Sequence, residues 1–120
     1  MKIITFAIPS YNSQDYMEKC INSLLPGGED VEILIVDDGS TDRTGEIADD
    51  YAARYPGICR AIHQPNGGHG EAVNAGLRNA QGIYYKVVDS DYWVDPEAYV
   101  QVLSTLKRLV RQGTPVDMLL

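Results

Sequence analysis

Two apolar runs that each stop in aspartates constrain this chain most. Val31–Val36 leads directly into Asp37-Asp38-Gly39-Ser40-Thr41-Asp42, and Ile83–Val88 leads into Asp89-Ser90-Asp91. Runs that are apolar at nearly every position are the pattern of strands buried on both faces, as in a parallel sheet. A buried strand that ends in carboxylates places negative charge at the mouth of that sheet. Such a mouth suits a metal ion, a ribose or a base, and it is a poor place for a core.

The remaining patterns alternate with these strands. Ile3–Ile8, closed by Pro9, is an expected first strand. Asn12 or Ser13 is expected to cap a helix over about Gln14–Leu25. The apolar residues Met17, Cys20, Ile21, Leu24 and Leu25 follow helical spacing there, and Pro26-Gly27-Gly28 ends it. After the second strand, Val31–Asp37, a helix is expected over about Arg43–Arg54, then a short strand at Ile58–His63. Pro65–Gly70 reads as a turn-rich loop and Glu71–Ala80 as a helix with a small-residue face, followed by Gly82. After the strand Ile83–Val88, Asp95-Pro96 supplies an N-cap and a proline at the first helical position. That helix is expected to reach Gln112, with Gly113 closing it. Val116–Leu120 reads as the opening of another strand, so the chain is expected to be a fragment cut inside or just after it. The β-α-β-α-β-α-β-α order implies an α/β fold, a mostly parallel sheet with helices on both faces. Ligands in such folds bind outside the carboxyl ends of the strands. Pro9–Asn12 and both aspartate pairs fall there.

Charge narrows the ligand. At 120 residues the chain has room for one small domain, and its net charge is −7. That argues against nonspecific nucleic-acid or anionic-membrane binding, which needs a basic face. An anionic ligand would need a divalent cation or backbone N–H groups. Cys20 and Cys59 have no metal-ligand or redox spacing and read as reduced, buried thiols. No apolar stretch approaches the roughly 18 residues of a membrane span, and no signal peptide is legible. The expected compartment is the cytoplasm.

Asp89-Ser90-Asp91 has Asp-x-Asp spacing. In an extended segment alternate residues point the same way, so both carboxylates would face one ligand. One or two carboxylates plus substrate phosphates is the usual way to hold Mg²⁺. Taken alone, so short a pattern reads first as a solvated turn followed by a helix cap. Asp37-Asp38-Gly39-Ser40-Thr41-Asp42 is more specific. Gly39 permits a tight turn and Ser40, Thr41 or Asp42 can cap the next helix, but a cap does not explain two aspartates directly after a buried strand. Asn66-Gly67-Gly68-His69-Gly70 can bring backbone N–H groups to a phosphate, and a tight loop explains it equally well. His63 is expected to end a strand. Tyr92 and Trp93 either line a pocket wall or pack under their loop, Lys86 is expected to snorkel toward the sheet end, and Asp49-Asp50 reads as a solvated helix face.

Together these elements resemble the N-terminal, nucleotide-binding half of a family 2 glycosyltransferase of the GT-A fold. The resemblance is carried, in order, by Ile8-Pro9-Ser10-Tyr11-Asn12, Val36 through Asp42, Asn66-Gly67-Gly68 with Ala72-Val73-Asn74-Ala75-Gly76, Ala80 through Tyr84, and Asp89 through Pro96. It implies a Rossmann-like sheet and metal-dependent, inverting transfer of a sugar from a nucleotide-sugar, by default a UDP-sugar, to a glycan or lipid-linked acceptor. By that resemblance Pro9, Tyr11, Asn12 and Gly68 border the donor pocket, and Asp37 or Asp38 contacts the base or ribose. Asp91 is then the main ligand of Mg²⁺ or Mn²⁺, with Asp89 supporting the metal or the ribose. Val73 stands where many members have arginine, and Tyr92 where many have a further aspartate. The usual catalytic base lies in the other half, so it is expected beyond Leu120. A nucleotide-binding module without transfer chemistry is the competing class. A phosphoacceptor receiver fits worse, because the Asp89 pair has no place in it. Membrane association would come from further segments, at the inner face.

Residues 1–120 alone are therefore expected to show no useful transferase turnover. A coupled nucleotide-release assay with UDP-sugars and glycan acceptors checks this, and turnover at an ordinary enzyme rate of about 10 s⁻¹ would contradict it.

Overall fold

A computed structural model describes residues 1–113. Its elements are β1 (Ile4–Ser10), α1 (Met17–Leu24), a 3-10 segment (Leu25–Asp30), β2 (Val31–Asp38), α2 (Thr44–Arg54), β3 (Cys59–Gln64), α3 (His69–Asn79), β4 (Tyr84–Val87) and α4 (Pro96–Gln112). The expected strand at Val116–Leu120 lies outside the described residues. The four strands form one parallel sheet in the order β3-β2-β1-β4. All eight residues of β2 are buried, the acidic Glu32, Asp37 and Asp38 with the apolar ones.

Helices cover both faces, unequally. Ile4, Phe6, Ile8, Ile33 and Ile35 point to one face, where Met17, Ile21 and Leu24 of α1, Ala48 and Tyr51 of α2, and Tyr99, Leu103 and Leu106 of α4 bury them. The other face is covered by α3, whose Ala72 and Ala75 pack with Val36. Small residues let α3 sit close: a Cβ on Gly76 would lie 2.8 Å from Ala7 Cβ. Pro9 is tolerated inside a central strand because β4 pairs with β1 only as far as Ala7.

Several local expectations change. No side chain caps α1, which starts at Met17 rather than Gln14. The Ser13 carbonyl, not its hydroxyl, accepts from Tyr16 and Met17 N–H, because that hydroxyl meets Ser90 and Asn12 turns toward Thr41. None of Ser40, Thr41 and Asp42 is the N-cap of α2, which is Arg43 without a side-chain cap bond; Asp42, one residue earlier, accepts from Thr44 N–H at 2.8 Å. Asp95 accepts from Ala98 N–H at 2.9 Å and Gly113 ends α4 in the left-handed region, both as the sequence implies. Gly82 lies two residues past Ala80, the C-cap of α3. It is the point where the chain entering β4 crosses β1: an added Cβ would meet Thr5 N at 2.5 Å and Ile4 C at 2.6 Å.

Those neighbours are backbone and cannot step aside. Gly82→Ala is expected to cost about 1–3 kcal/mol in urea unfolding. Gly70→Ala, in the first turn of α3 with no atom within 4 Å of the added carbon, is expected to be neutral or stabilising by up to about 1 kcal/mol.

Candidate functional site at the carboxyl ends of the strands

Strand alternation separates Asp37 from Asp38. Asp37 shares a face with Ile33 and Ile35, toward α2; Asp38 shares the opposite face with Val36, toward α3. Asp38 lines a cleft of about 90 Å³ with Pro9, Ser10, Tyr11, His69 and Ala72. Its carboxylate also ties down the glycine-rich loop. Oδ1 accepts from Gln64 Nε2 and Gly67 N–H at 2.8 Å each, and Oδ2 from Gly68 N–H at 3.0 Å. Burial would raise this carboxyl's pKa, but those three hydrogen bonds prevail and hold it below its ordinary value of 3.8. The Gly67 and Gly68 N–H groups are thus engaged by Asp38 rather than presented to a phosphate. Gly39 sits below them with φ +70°, and a Cβ there would meet Asn66 N at 2.5 Å.

Asp37 serves the other face. Oδ1 accepts from Ser40 N–H at 3.0 Å, and Oδ2 lies 2.9 Å from His63 Nδ1. The Ser40 hydroxyl accepts from Asn12 N–H at 3.0 Å, and Asn12 Oδ1 accepts from Thr41 N–H at 2.9 Å. Asn12 has a φ of +50°, in the left-handed region that asparagine tolerates better than most residues. The β1 loop and the β2 loop are therefore one hydrogen-bonded unit, with the half-exposed ring of Tyr11 on its rim.

The Asp89–Asp91 segment is a turn rather than an extension of β4: Tyr92 N–H donates to the Asp89 carbonyl at 3.0 Å. Ser90 points inward, 2.9 Å from the Ser13 hydroxyl, and this bond draws the end of β4 against the β1 loop. Asp89 and Asp91 are left exposed on either side. Among the described residues neither carboxylate is engaged in a hydrogen bond or ion pair, in contrast to Asp37, Asp38 and Asp42. Both lie close enough to Cys20 to add to the effect of burial, which pushes its thiol up to about 12. Two free, exposed carboxylates at a strand end suit a hard divalent cation that takes its other ligands from phosphate and water. Among the described residues no three His, Cys, Asp or Glu side chains gather into a fuller site.

Both cysteines are free and buried, as expected. Tyr92 and Trp93 do not pack under the loop; each is more than half exposed, and Lys19 Nζ lies 3.5 Å from the Trp93 ring centroid. Lys86 is exposed on the edge strand. His63 does more than end a strand: it also meets Asp49, which is not a purely solvated helix residue. Sequence reasoning missed the roles of His63, Gln64 and Ser90. The one available signal was their position at or beside strand ends. A larger hollow of about 470 Å³, lined by residues of the α1 and α2 regions, contains Asp15, Glu18, Glu46 and Asp50 against Arg43 alone. It holds none of the strand-end groups, and its charge opposes an anionic ligand.

An open parallel sheet with acidic strand ends is the frame of the GT-A nucleotide-sugar enzymes. The chain belongs to glycosyl transferase family 2, whose family model matches residues 5–113. It is 46% identical over 93 residues to the uncharacterized glycosyltransferase EpsJ of Bacillus subtilis, covering 77% of this chain and 27% of that protein. It is 36% identical over 107 residues to chondroitin synthase of Escherichia coli, covering 88% of this chain and 16% of that one. Residues 1–349 of S. aureus TarS, solved with UDP-GlcNAc, superpose with a TM-score of 0.74 at 31% identity, over 90% of this chain and 32% of that one. The mannosyltransferase PcManGT of Pyrobaculum calidifontis, solved with GDP-Man and Mn²⁺, shares the fold at TM-score 0.73 and 23% identity, over 83% of this chain and 31% of that one. The chain thus spans about a third or less of these proteins.

The bonds of Asp38 give a pH signature. With the folded pKa below 3.8, its contribution is present above the unfolded value and lost as pH falls through the folded one. Asp38→Asn turns an amide NH₂ toward backbone donors and is expected to cost about 1–3 kcal/mol at neutral pH in urea unfolding. The gap to wild type should narrow as pH falls below 3.8.

Proposed function

We propose that residues 1–120 are the donor-binding part of a metal-dependent, inverting glycosyltransferase. The enzyme would move a sugar from a UDP-sugar to a glycan or lipid-linked acceptor. The observation that carries this reading is the meeting of Pro9, Tyr11 and Asp38 in one cleft, with the Asp89–Asp91 turn pulled alongside by the Ser13–Ser90 bond. UDP-GlcNAc bound to TarS supports a UDP-sugar donor, and inversion rests on the family resemblance. The share of the relatives that the chain spans supports placing the acceptor site and the catalytic base beyond Leu120. Activity at the inner face of the membrane would likewise depend on further sequence; no described helix is long and apolar enough to cross a membrane.

The residues divide the work. Asp38, fixed by its three donors, keeps the remaining lone-pair capacity of its oxygens for a base N–H or a ribose hydroxyl. Tyr11 offers a ring face to the base, and Pro9 forms the apolar wall beside it. Asn12 and Asp37 hold the loop that carries Tyr11. Gly68 acts through Asp38 and through the open space above its Cα. At about 90 Å³ the cleft is well below the roughly 300–1,000 Å³ of an enclosing pocket, so this chain forms one wall of the donor site. Asp91 and Asp89 would hold Mg²⁺ or Mn²⁺, which supplies neutralisation of the diphosphate when bound. That arrangement answers the charge conflict between an acidic protein and an anionic donor.

Calorimetric titration of UDP and GDP, with Mn²⁺ and with chelator, tests this reading. UDP is expected to bind better than GDP, and chelator to weaken it. Asp91→Ala should remove most of the metal-dependent part, roughly ten-fold or more in affinity. Equal, metal-independent binding by wild type and Asp91→Ala would refute the role given to Asp91.

A further inference from the structure

His63 lies between two carboxylates on the α2 face of the sheet. Its Nδ1 is 2.9 Å from Asp37 Oδ2 and its Nε2 is 2.7 Å from Asp49 Oδ1. A neutral imidazole carries one N–H and donates to only one of them. Its other nitrogen would then direct a lone pair at carboxylate oxygen. Only the imidazolium donates to both. Helix α2 comes this near because residue 45 is glycine: a Cβ there would lie 2.8 Å from Asp37 Oδ2 and 3.5 Å from His63 Cε1.

The bonds continue toward the cleft. Asp37 holds Ser40 N–H, the Ser40 hydroxyl holds Asn12 N–H, and Asn12 directly follows Tyr11 on the cleft rim. The charged groups facing His63 are Asp37 from β2 and Asp49 from α2. Asp38 is on the far face of β2, paired with Gln64. The arginines of the α2 region are committed elsewhere, Arg43 to Glu46 and Arg54 to Asp50. The bonds to Asp49 first, and then to Asp37, raise the His63 pKa above 6.5 against a smaller opposing effect of burial.

We propose that His63 is a positioning residue for the donor: as the imidazolium it ties Asp37 to Asp49 and sets the β1 loop against the nucleotide cleft, so that nucleotide binding is tighter when His63 is protonated. This rests on the cleft being a nucleotide site. The raised pKa fixes the sign. The tether is complete below the unfolded value of about 6.5 and is lost as pH rises through the folded one.

The test is calorimetric titration of UDP with Mg²⁺ from about pH 5 to about pH 8, on wild type, His63→Gln and Asp49→Asn. The ratio of variant to wild-type Kd cancels the titration of the diphosphate itself. For His63→Gln the ratio is expected to be about three-fold at the acid end and near one at the alkaline end, the scale of a partly exposed ion pair. Asp49→Asn, at an exposed helix position, should retain a pH dependence whose midpoint is moved to lower pH. A ratio constant across the range, or an unmoved midpoint in Asp49→Asn, overturns the inference while leaving the nucleotide site standing. If wild type binds UDP at no pH, the reading of the cleft fails and this inference with it.

Discussion

The Asp38 carboxylate is the interaction on which the site depends. Three donors converge on it from the end of β3 and from the glycine-rich loop, while its own backbone belongs to β2. Without it the loop before α3 has no partner for the Gly67 and Gly68 N–H groups, and the cleft loses one wall. The hydrogen bonds are made to a charged acceptor, which makes them stronger than neutral ones, and they sit at a nearly buried position where leaving a donor unpaired is costly. One residue thus joins the stability of the loop to the shape of the ligand surface.

Negative charge is distributed by task across the sheet mouth. Asp37, Asp38 and Asp42 are engaged by N–H groups, by a side-chain amide or by an imidazole. Each holds a loop or a helix start. Asp89 and Asp91 stand out from this set because they are exposed and unengaged. That difference, rather than the Asp-x-Asp spacing, is what makes them suited to a hard divalent cation.

Much of the fold was legible because its signals are local. The run Val31–Val36, apolar except at Glu32, required a strand buried on both faces, and it is one. Asp95-Pro96 and Gly113 bracket α4 through cap chemistry that needs only neighbouring residues. The start of α1 was misplaced because Asn12 and Ser13 find better partners in distant segments: Asn12 in Ser40 and Thr41, Ser13 in Ser90. Asp89–Asp91 closes the turn that so short a pattern suggests by itself, not the extended segment that would aim both carboxylates the same way. Gly82 follows the end of α3 and is also a crossing point, which only the position of β1 reveals.

By itself the sequence determined the order of strands and helices, the parallel character of the sheet and the presence of carboxylates at two strand ends. Each follows from periodicity, caps and apolar runs within a few residues. Only the tertiary structure decided which of Asp37 and Asp38 faces the cleft, because a strand's side chains alternate and a shift of one residue in register exchanges their faces. It also decided that the Asp89–Asp91 turn lies against the β1 loop. A pair of serines 77 residues apart makes that contact, and no pattern within either segment announces it.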